Sequence, residues 1–371
     1  MNALYLVQSE IDPSKGISKK IQAQVNALNH AGLNIHLCHY DNNNGVRSWA
    51  IDGKPIARVG KSNIAHIKYY TFYSPVLDYV KINNIQFIYF RYSLNATPFL
   101  IRFLRKLKVM GVVVYMEIPT YPYDGESKGQ TPLKSLQLWI EKKSRNHFKD
   151  VVERIVTFSI DHEIFGTKTI CLSNAVDLKA LRLKHIVKKS NTEIHLLGVA
   201  NLMFWHGYDR LIAGLASYYK KTPTIKVIFD IAGGGPLLQT LQEQAEQLGV
   251  SQYVNFLGIV NGIELDEAFD QADIAVGCLG CHRKNIKEVK SLKNVEYAAR
   301  GIPFIYSENN NDFDNQEYII KVPANESPIL VEDVLSRFNS IQKDAQTIRN
   351  SVAHLTWECQ MGKVVSYLTS K

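Results

Sequence analysis

No run of eighteen apolar residues occurs in the chain, so no segment of it reads as a transmembrane helix. The first residues, MNALYLVQSE, have neither a basic start nor a long apolar core, which argues for a first β-strand rather than a secretory signal. Cysteine is sparse and odd in number: Cys38, Cys171, Cys278, Cys281 and Cys359. Scattered thiols fit a reduced cytoplasmic protein better than a disulfide framework. Helix-turn-helix, zinc-finger and RNP signatures are missing, so nucleic acid is not an expected partner. Cys278 and Cys281 stand beside His282 in CLGCHRKN, but zinc needs a second ligand pair and the sequence shows none. No metal and no cofactor are expected.

What is present is enough for a sizeable core: 371 residues, 46% of them hydrophobic, or about two domains. The net charge of +8 is uneven. Residues 1–190 carry 27 Lys and Arg against 14 Asp and Glu, a balance of +13. Residues 191–371 carry 16 against 21, a balance of −5. The first half therefore suits an anionic partner, with an anionic lipid surface favoured.

Short apolar runs alternate with helical stretches. ALYLVQS (3–9), NIHLCHY (34–40), FIYFRY (87–92), VVVYMEI (112–118), RIVTFS (154–159) and TICLSN (169–174) make a first set of strands. EIHLLGVAN (193–201), IKVIFDIAGGG (225–235), VNFLGIV (254–260), ADIAVGCL (272–279) and PFIYSE (303–308) make a second. This rhythm predicts two doubly wound α/β domains. The expected boundaries are 1–185 and 186–345, with a polar linker at 183–193. A last helix from 346 to 371 is expected to pack back toward the first domain. Ligands in such sheets bind at the carboxyl ends of the strands, here in a cleft between the domains.

Residues 288–303, EVKSLKNVEYAARGIP, place Glu288 and Glu296 with seven residues between them. Ser291 is expected to cap a helix from Leu292 to Arg300 that Gly301 ends. Its first N–H groups offer a phosphate site, and Lys290 and Lys293 add charge. A solvated helix with an i,i+3 Lys293–Glu296 pair is the plain alternative. In IAGGGP (231–236) the glycines allow close backbone approach to a ligand, or a tight turn. In ANLMFWHGYDRLI (200–212) His206 and Arg210 lie four apart at a helix start, where two cations suit an anionic ligand, or else a surface pair.

Asp312-Phe313-Asp314 has the spacing of a metal-binding pair but sits in a polar loop. His282 and Arg283 fall just before the loop that carries Glu288. In the first half, Lys15 and Gly16 follow strand one. EIPTYPYDGE (117–126) offers Tyr121 and Tyr123 for stacking on a ligand and Glu117, Asp124 and Glu126 for its hydroxyls, or is a rigid Pro-bounded loop. LKSLQLWIEKKSRNHFKD (133–150) is basic and aromatic, as a membrane-surface or core helix would be.

Three stretches stand in one order: LSNAVD (172–177), IAGGGPLLQTLQEQAEQLGVSQYVNFLGIV (231–260) and EVKSLKNVEYAARGIPFI (288–305). Together they resemble the donor domain of retaining glycosyltransferases of the GT-B fold, glycosyltransferase family 4. WHGYDR (205–210) and EIPTYPYDGE resemble a bacterial surface-polysaccharide subgroup of it. The resemblance implies two Rossmann-like domains facing a cleft and a metal-independent, hexosyl-type transferase. It implies a UDP- or GDP-sugar donor and a glycan or lipid-linked acceptor, in polysaccharide or exopolysaccharide biosynthesis. It implies a cytoplasmic protein with peripheral contact to the inner membrane face. Glu288 is then the catalytic-site acid on the donor sugar hydroxyls and Glu296 binds the ribose. The backbone of Lys290, Ser291 and Leu292 holds the pyrophosphate, and Gly234 and Gly235 lie near the nucleotide. The resemblance departs where the family carries an Arg and a Lys: Asn201 and His206 stand there, with Arg210 and Lys293 as replacements. That departure keeps open a degenerate, non-catalytic partner subunit. A sugar-nucleotide 2-epimerase is the other alternative.

Overall fold

Short parallel strands rich in Val, Ile and Leu must be covered on both faces, and the helices between them supply that cover. The computed structural model describes residues 1–12, 15–61, 68, 70–124, 132–185, 192–286 and 288–369. Two compact units result. One holds Met1–Ser173 together with the closing helix Trp357–Thr369, and the other holds Asn174–Thr356.

The first unit is built on a nine-stranded sheet: β1 (Asn2–Glu10), β2 (Asn34–Asn43), β3 (Val46–Ile51), β4 (Lys54–Gly60), β5 (Phe87–Arg91), β6 (Val113–Ile118), β7 (Arg154–Thr157), β8 (Glu163–Ile164) and β9 (Thr167–Cys171). Its order is β4-β3-β2-β1-β5-β6-β7-β9-β8. The pairs from β2 through β1, β5, β6 and β7 to β9 are parallel. β3 and β4 add an antiparallel hairpin at one edge. Asp52 and Gly53 turn it with φ of 49° and 76°, the left-handed pair that a two-residue hairpin requires.

The second unit has six parallel strands: β10 (Glu193–Val199), β11 (Lys226–Ala232), β12 (Val254–Gly258), β13 (Ile274–Val276), β14 (Phe304–Tyr306) and β15 (Ile319–Lys321). Their order is β12-β11-β10-β13-β14-β15. Side chains alternate between two cores, as the period of two demands. Leu196, Ile274 and Ile305 point into one, with Leu211 and Leu215. Leu197, Ala275 and Phe304 point into the other, with Tyr297 and Ala298.

The division after Ser173 precedes the linker expected at 183–193, part of which lies outside the described residues. Residues 174–185 hold to the second unit through charge: Arg182 is bound by Asp266 and Asp270 at 3.1 and 2.7 Å. Arg349 likewise donates to the carbonyls of Leu178 and Leu181. The closing segment divides as well. Ala345–Ser351 stays with the second unit, whereas Trp357–Thr369 packs on Gly16–His30 of the first.

Candidate functional site

In the second sheet β10 pairs with β11 on one side and β13 on the other, so the chain reverses direction across the sheet there. Ligands of open parallel sheets bind at such a point, beyond the carboxyl ends of the strands. The segments that follow β10, β11, β13 and β14 gather at that edge.

Backbone packing binds these segments to one another. Gly233 has φ +134°, and a Cβ on it would lie 1.8 Å from the Ala200 carbonyl oxygen. Gly235 has φ +143°, and a Cβ there would lie 2.5 Å from the Leu202 nitrogen. The glycine run thus admits the neighbouring loop of this chain, with Leu202 N–H donating to the Gly234 carbonyl at 2.7 Å. Gly234 alone has room, its nearest neighbour being the Ile259 side chain at 3.5 Å. Asn201 is exposed at the same turn.

The acidic pair behaves as two different groups. Glu288 is exposed in the loop, where its backbone bridges to Asn309 and the Val289 N–H donates to the Asn309 carbonyl at 3.0 Å. The helix that follows runs Leu292–Ala299 with Arg300 as its C-cap and Gly301 at φ +76°. Ser291 occupies the N-cap, but its hydroxyl makes no capping bond, which leaves the first-turn N–H groups uncapped by it. Leu292 is half-buried. Lys290 Nζ lies 3.8 Å from Asp312, and the Lys290 carbonyl accepts from the Asn174 amide. Glu296 accepts from Arg300 Nε at 3.1 Å, an i,i+4 pair in place of the expected partner Lys293.

Lys293 turns inward. Its Nζ is buried without a hydrogen-bond partner, and burial holds its pKa below the usual lysine value. Around it are Cys278, Cys281 and Glu308. Burial likewise drives the Glu308 carboxyl far above the usual carboxylate range. A hydrogen bond from Cys281, with Lys293 and Lys284 nearby, favours a thiolate at Cys278.

The two expected cations at the helix start are not available to an anion. Arg210 is buried, and its guanidinium donates to the carbonyls of Ser327, Leu279 and Pro323 and to Asn325. His206 is buried beside Gly207, its Nδ1 accepting from the Met203 N–H at 3.1 Å. Burial, with Lys293 and Lys284 nearby, pushes its pKa down to about 2, so the ring is neutral. Arg283 is held by Asp209 at 2.7 Å and Glu326 at 2.6 Å, and His282 by Glu326 at 2.6 Å. Glu326 and Asp209 went unnoticed in the sequence because each is far along the chain from its partner.

Asp314, the second acid of Asp-Phe-Asp, is bound by Tyr306, Lys321 and the Asn310 N–H. Asp314 is thus engaged within its own loop by groups of this chain.

In the first unit several residues expected to meet a ligand are occupied by groups of this chain. Glu117 is fully buried and accepts from Gln24 and Tyr89, each at 2.7 Å, and from Arg91. Tyr123 is buried, its hydroxyl donating to Glu141 at 2.6 Å. Tyr121 packs edge-on against Phe165 at 5.7 Å. Asp124 is gripped by both terminal nitrogens of Arg145, which holds its carboxyl below the usual range. These four hold the end of β6 and the loop after it together, the stretch that they were expected to lend to a ligand. Glu126 lies outside the described residues. Lys15 and Gly16 are exposed at the start of the helix after β1, with Lys15 Nζ 3.4 Å from Asp12.

Residues 182–314 match the family Glycosyl transferases group 1. A 155-residue stretch is 26% identical to alpha-monoglucosyldiacylglycerol synthase of Streptococcus pneumoniae. That stretch is 42% of this chain and spans about a third, 32%, of that protein. Across 100% of this chain the fold is similar to a glycosyltransferase from Rickettsia africae, at a TM-score of 0.65 with 11% identity and 98% of that chain covered. It is also similar to WaaG, a glycosyltransferase involved in lipopolysaccharide biosynthesis, at 0.64 with 13% identity and 100% of that chain covered. HepE of Anabaena, solved with UDP, matches at 0.64 with 13% identity, again over 100% of that chain. The chain thus has the α/β architecture of the GT-B glycosyltransferases and carries a Glycosyl transferases group 1 domain in its second unit.

Proposed function

We propose that the protein is a retaining glycosyltransferase that moves a hexose from a UDP- or GDP-sugar to a glycan or lipid-linked acceptor in polysaccharide biosynthesis. One observation carries this reading: Glu288 stands exposed just before an uncapped helix start with Lys290 beside it. Glycosyl transfer passes through an oxocarbenium-like state while negative charge builds on the departing diphosphate. Helix N–H groups already in place absorb that charge without reorganising. Glu288 orients the sugar through its hydroxyls, and Glu296 binds the ribose with the oxygen that Arg300 does not hold. HepE was solved with UDP, which favours a uridine donor. The engagement of Asp314 by Lys321 and Tyr306 supports a reaction without a metal on Asp-Phe-Asp.

The acceptor side is read from charge. Helix Pro98–Val109 exposes Phe99 and Val109 beside Arg102, Arg105, Lys106 and Lys108. Helix Pro132–Arg145 exposes Leu136 and Trp139, with Lys143 Nζ 4.0 Å above the Trp139 ring. Basic side chains around exposed apolar ones suit the surface of an anionic bilayer, as does a relative named for a glucosyl lipid. Among the described residues no helix is long and apolar enough to cross a membrane.

The test is nucleotide release from a panel of UDP- and GDP-sugars by the full chain, with candidate acceptors. Turnover with at least one donor, lost in Glu288→Ala and reduced in Glu296→Ala, is the expected result. Full turnover in both variants would sink the site assignment.

A second reading, a non-catalytic partner subunit, is favoured by the engagement of Arg210 and Arg283 and the neutrality of His206. Calorimetry separates the two, because micromolar UDP or GDP binding with turnover belongs only to the enzyme.

A further inference from the structure

We propose that Cys278, Cys281 and Glu308 form a binding site for a thiophilic divalent cation, with Zn²⁺ the best fit. Their two Sγ atoms and a carboxylate oxygen all lie within 4.8 Å of one another. Two ligands on one tetrahedral zinc stand about 3.5–3.8 Å apart, given bonds of about 2.0–2.3 Å. All three residues are buried, with exposures of 6%, 4% and 2%.

The cluster is built on a stiff base. Cys278 follows β13 and Glu308 follows β14, and these are adjacent parallel strands. The Cys278 carbonyl accepts from the Ser307 N–H at 3.0 Å, and Lys321 binds the Glu308 carbonyl. Cys281 opens the short turn Cys281–Lys284.

An independent observation points to a ligand. Both carboxylate oxygens of Glu308 are buried without a hydrogen-bond partner, and so is Lys293 Nζ nearby. Buried polar groups in that state are costly. Two thiolates and a carboxylate sum to −3, and a divalent cation with the Lys293 ammonium restores neutrality. Binding releases to solvent the protons that the thiols and the Glu308 carboxyl carry, and changes no oxidation state. Sulfur ligands select zinc over magnesium or calcium. His282, beside the Cys-x-x-Cys pair, is not the third ligand, since neither of its ring nitrogens falls within the 4.8 Å cluster that the two thiols form with Glu308. Lys293 belongs to the first turn of Leu292–Ala299, so the metal would steady the start of that helix. The inference holds whether or not the chain transfers a sugar.

The full chain, reduced and stripped with a chelator, is titrated with Co²⁺ as a spectroscopic probe. The expected result is one Co²⁺ per chain with thiolate-to-cobalt charge-transfer absorption, displaced by Zn²⁺. Cys281→Ser loses most of that absorption, Glu308→Gln keeps it with weaker binding, and Cys359→Ser leaves it unchanged. No such band in the wild-type chain overturns the proposal, whatever the variants do. So does a band that survives in the Cys278→Ser/Cys281→Ser double variant.

Discussion

Glu117 and Glu288 both stand near the carboxyl ends of parallel strands, yet they have opposite surroundings. Glu117 is still inside β6, so its side chain points into a layer shared with β5 and the helix Gly16–His30. There Gln24, Tyr89 and Arg91 hold it, and Lys20 Nζ lies 3.9 Å away. Glu288 lies in a loop past the strand and is exposed. An acid within a strand is part of the core; an acid one loop later is open to a ligand.

Substitution should sharpen that contrast most at Glu117. Glu117→Ala leaves Arg91 and Lys20 with a buried charge uncompensated and is expected to cost about 3–5 kcal/mol in urea unfolding. A loss under about 1 kcal/mol would mean that the network is open to water. Glu288→Ala should do the reverse, leaving the thermal midpoint within about 2 °C while turnover falls about 10²–10³-fold, the scale of one lost transition-state contact. Unfolding and activity measured on the same two variants therefore exchange places.

His206 extends the comparison to pH. Its unfolded ring takes a proton near pH 6.5, and the buried ring only near pH 2. Between these values the unfolded chain binds more protons, so stability falls as pH drops below 6.5. This residue alone contributes up to about 1.4 kcal/mol per pH unit. His206→Gln should flatten that part of the stability curve, and an unchanged slope would contradict a neutral, buried ring.

The smallest effect is expected at Glu326. Arg283 and His282 hold its pKa down to about 2 from 4.5, so its contribution is present above pH 4.5 and is lost as pH falls toward 2. The carboxylate is largely exposed and screened, so Glu326→Gln should cost under about 1 kcal/mol at neutral pH. A larger loss would mean that Arg283 depends on Glu326 more than on Asp209.

Much of the fold was legible because strands buried on both faces must be apolar at their centres, and the runs at 227–229, 274–276 and 304–306 are. ADIAVGCL was read as one strand, but only Ile274–Val276 pairs, since the chain leaves the sheet to close over Lys293. The hairpin at 46–60 was passed over even though Asp52-Gly53 between apolar runs is a local signal for it. The order of loop acid, helix start and second acid was readable from spacing alone. The fate of Arg210, Tyr123 and Asp124 was not, because the groups that occupy them lie between 18 and 117 residues away in the chain.

By itself the sequence determined the alternation of strand and helix, the glycine turns and the helix that follows Glu288, for these depend on periodicity and local backbone preference. Tertiary structure decided which charges remain for a ligand. It drew Arg210 into carbonyls, gave Arg283 to Asp209 and Glu326, and brought Glu308 to Cys278 and Cys281 across two neighbouring strands. Partners distant in sequence meet only when the sheet sets their positions, and a charge that has met its partner no longer attracts a substrate.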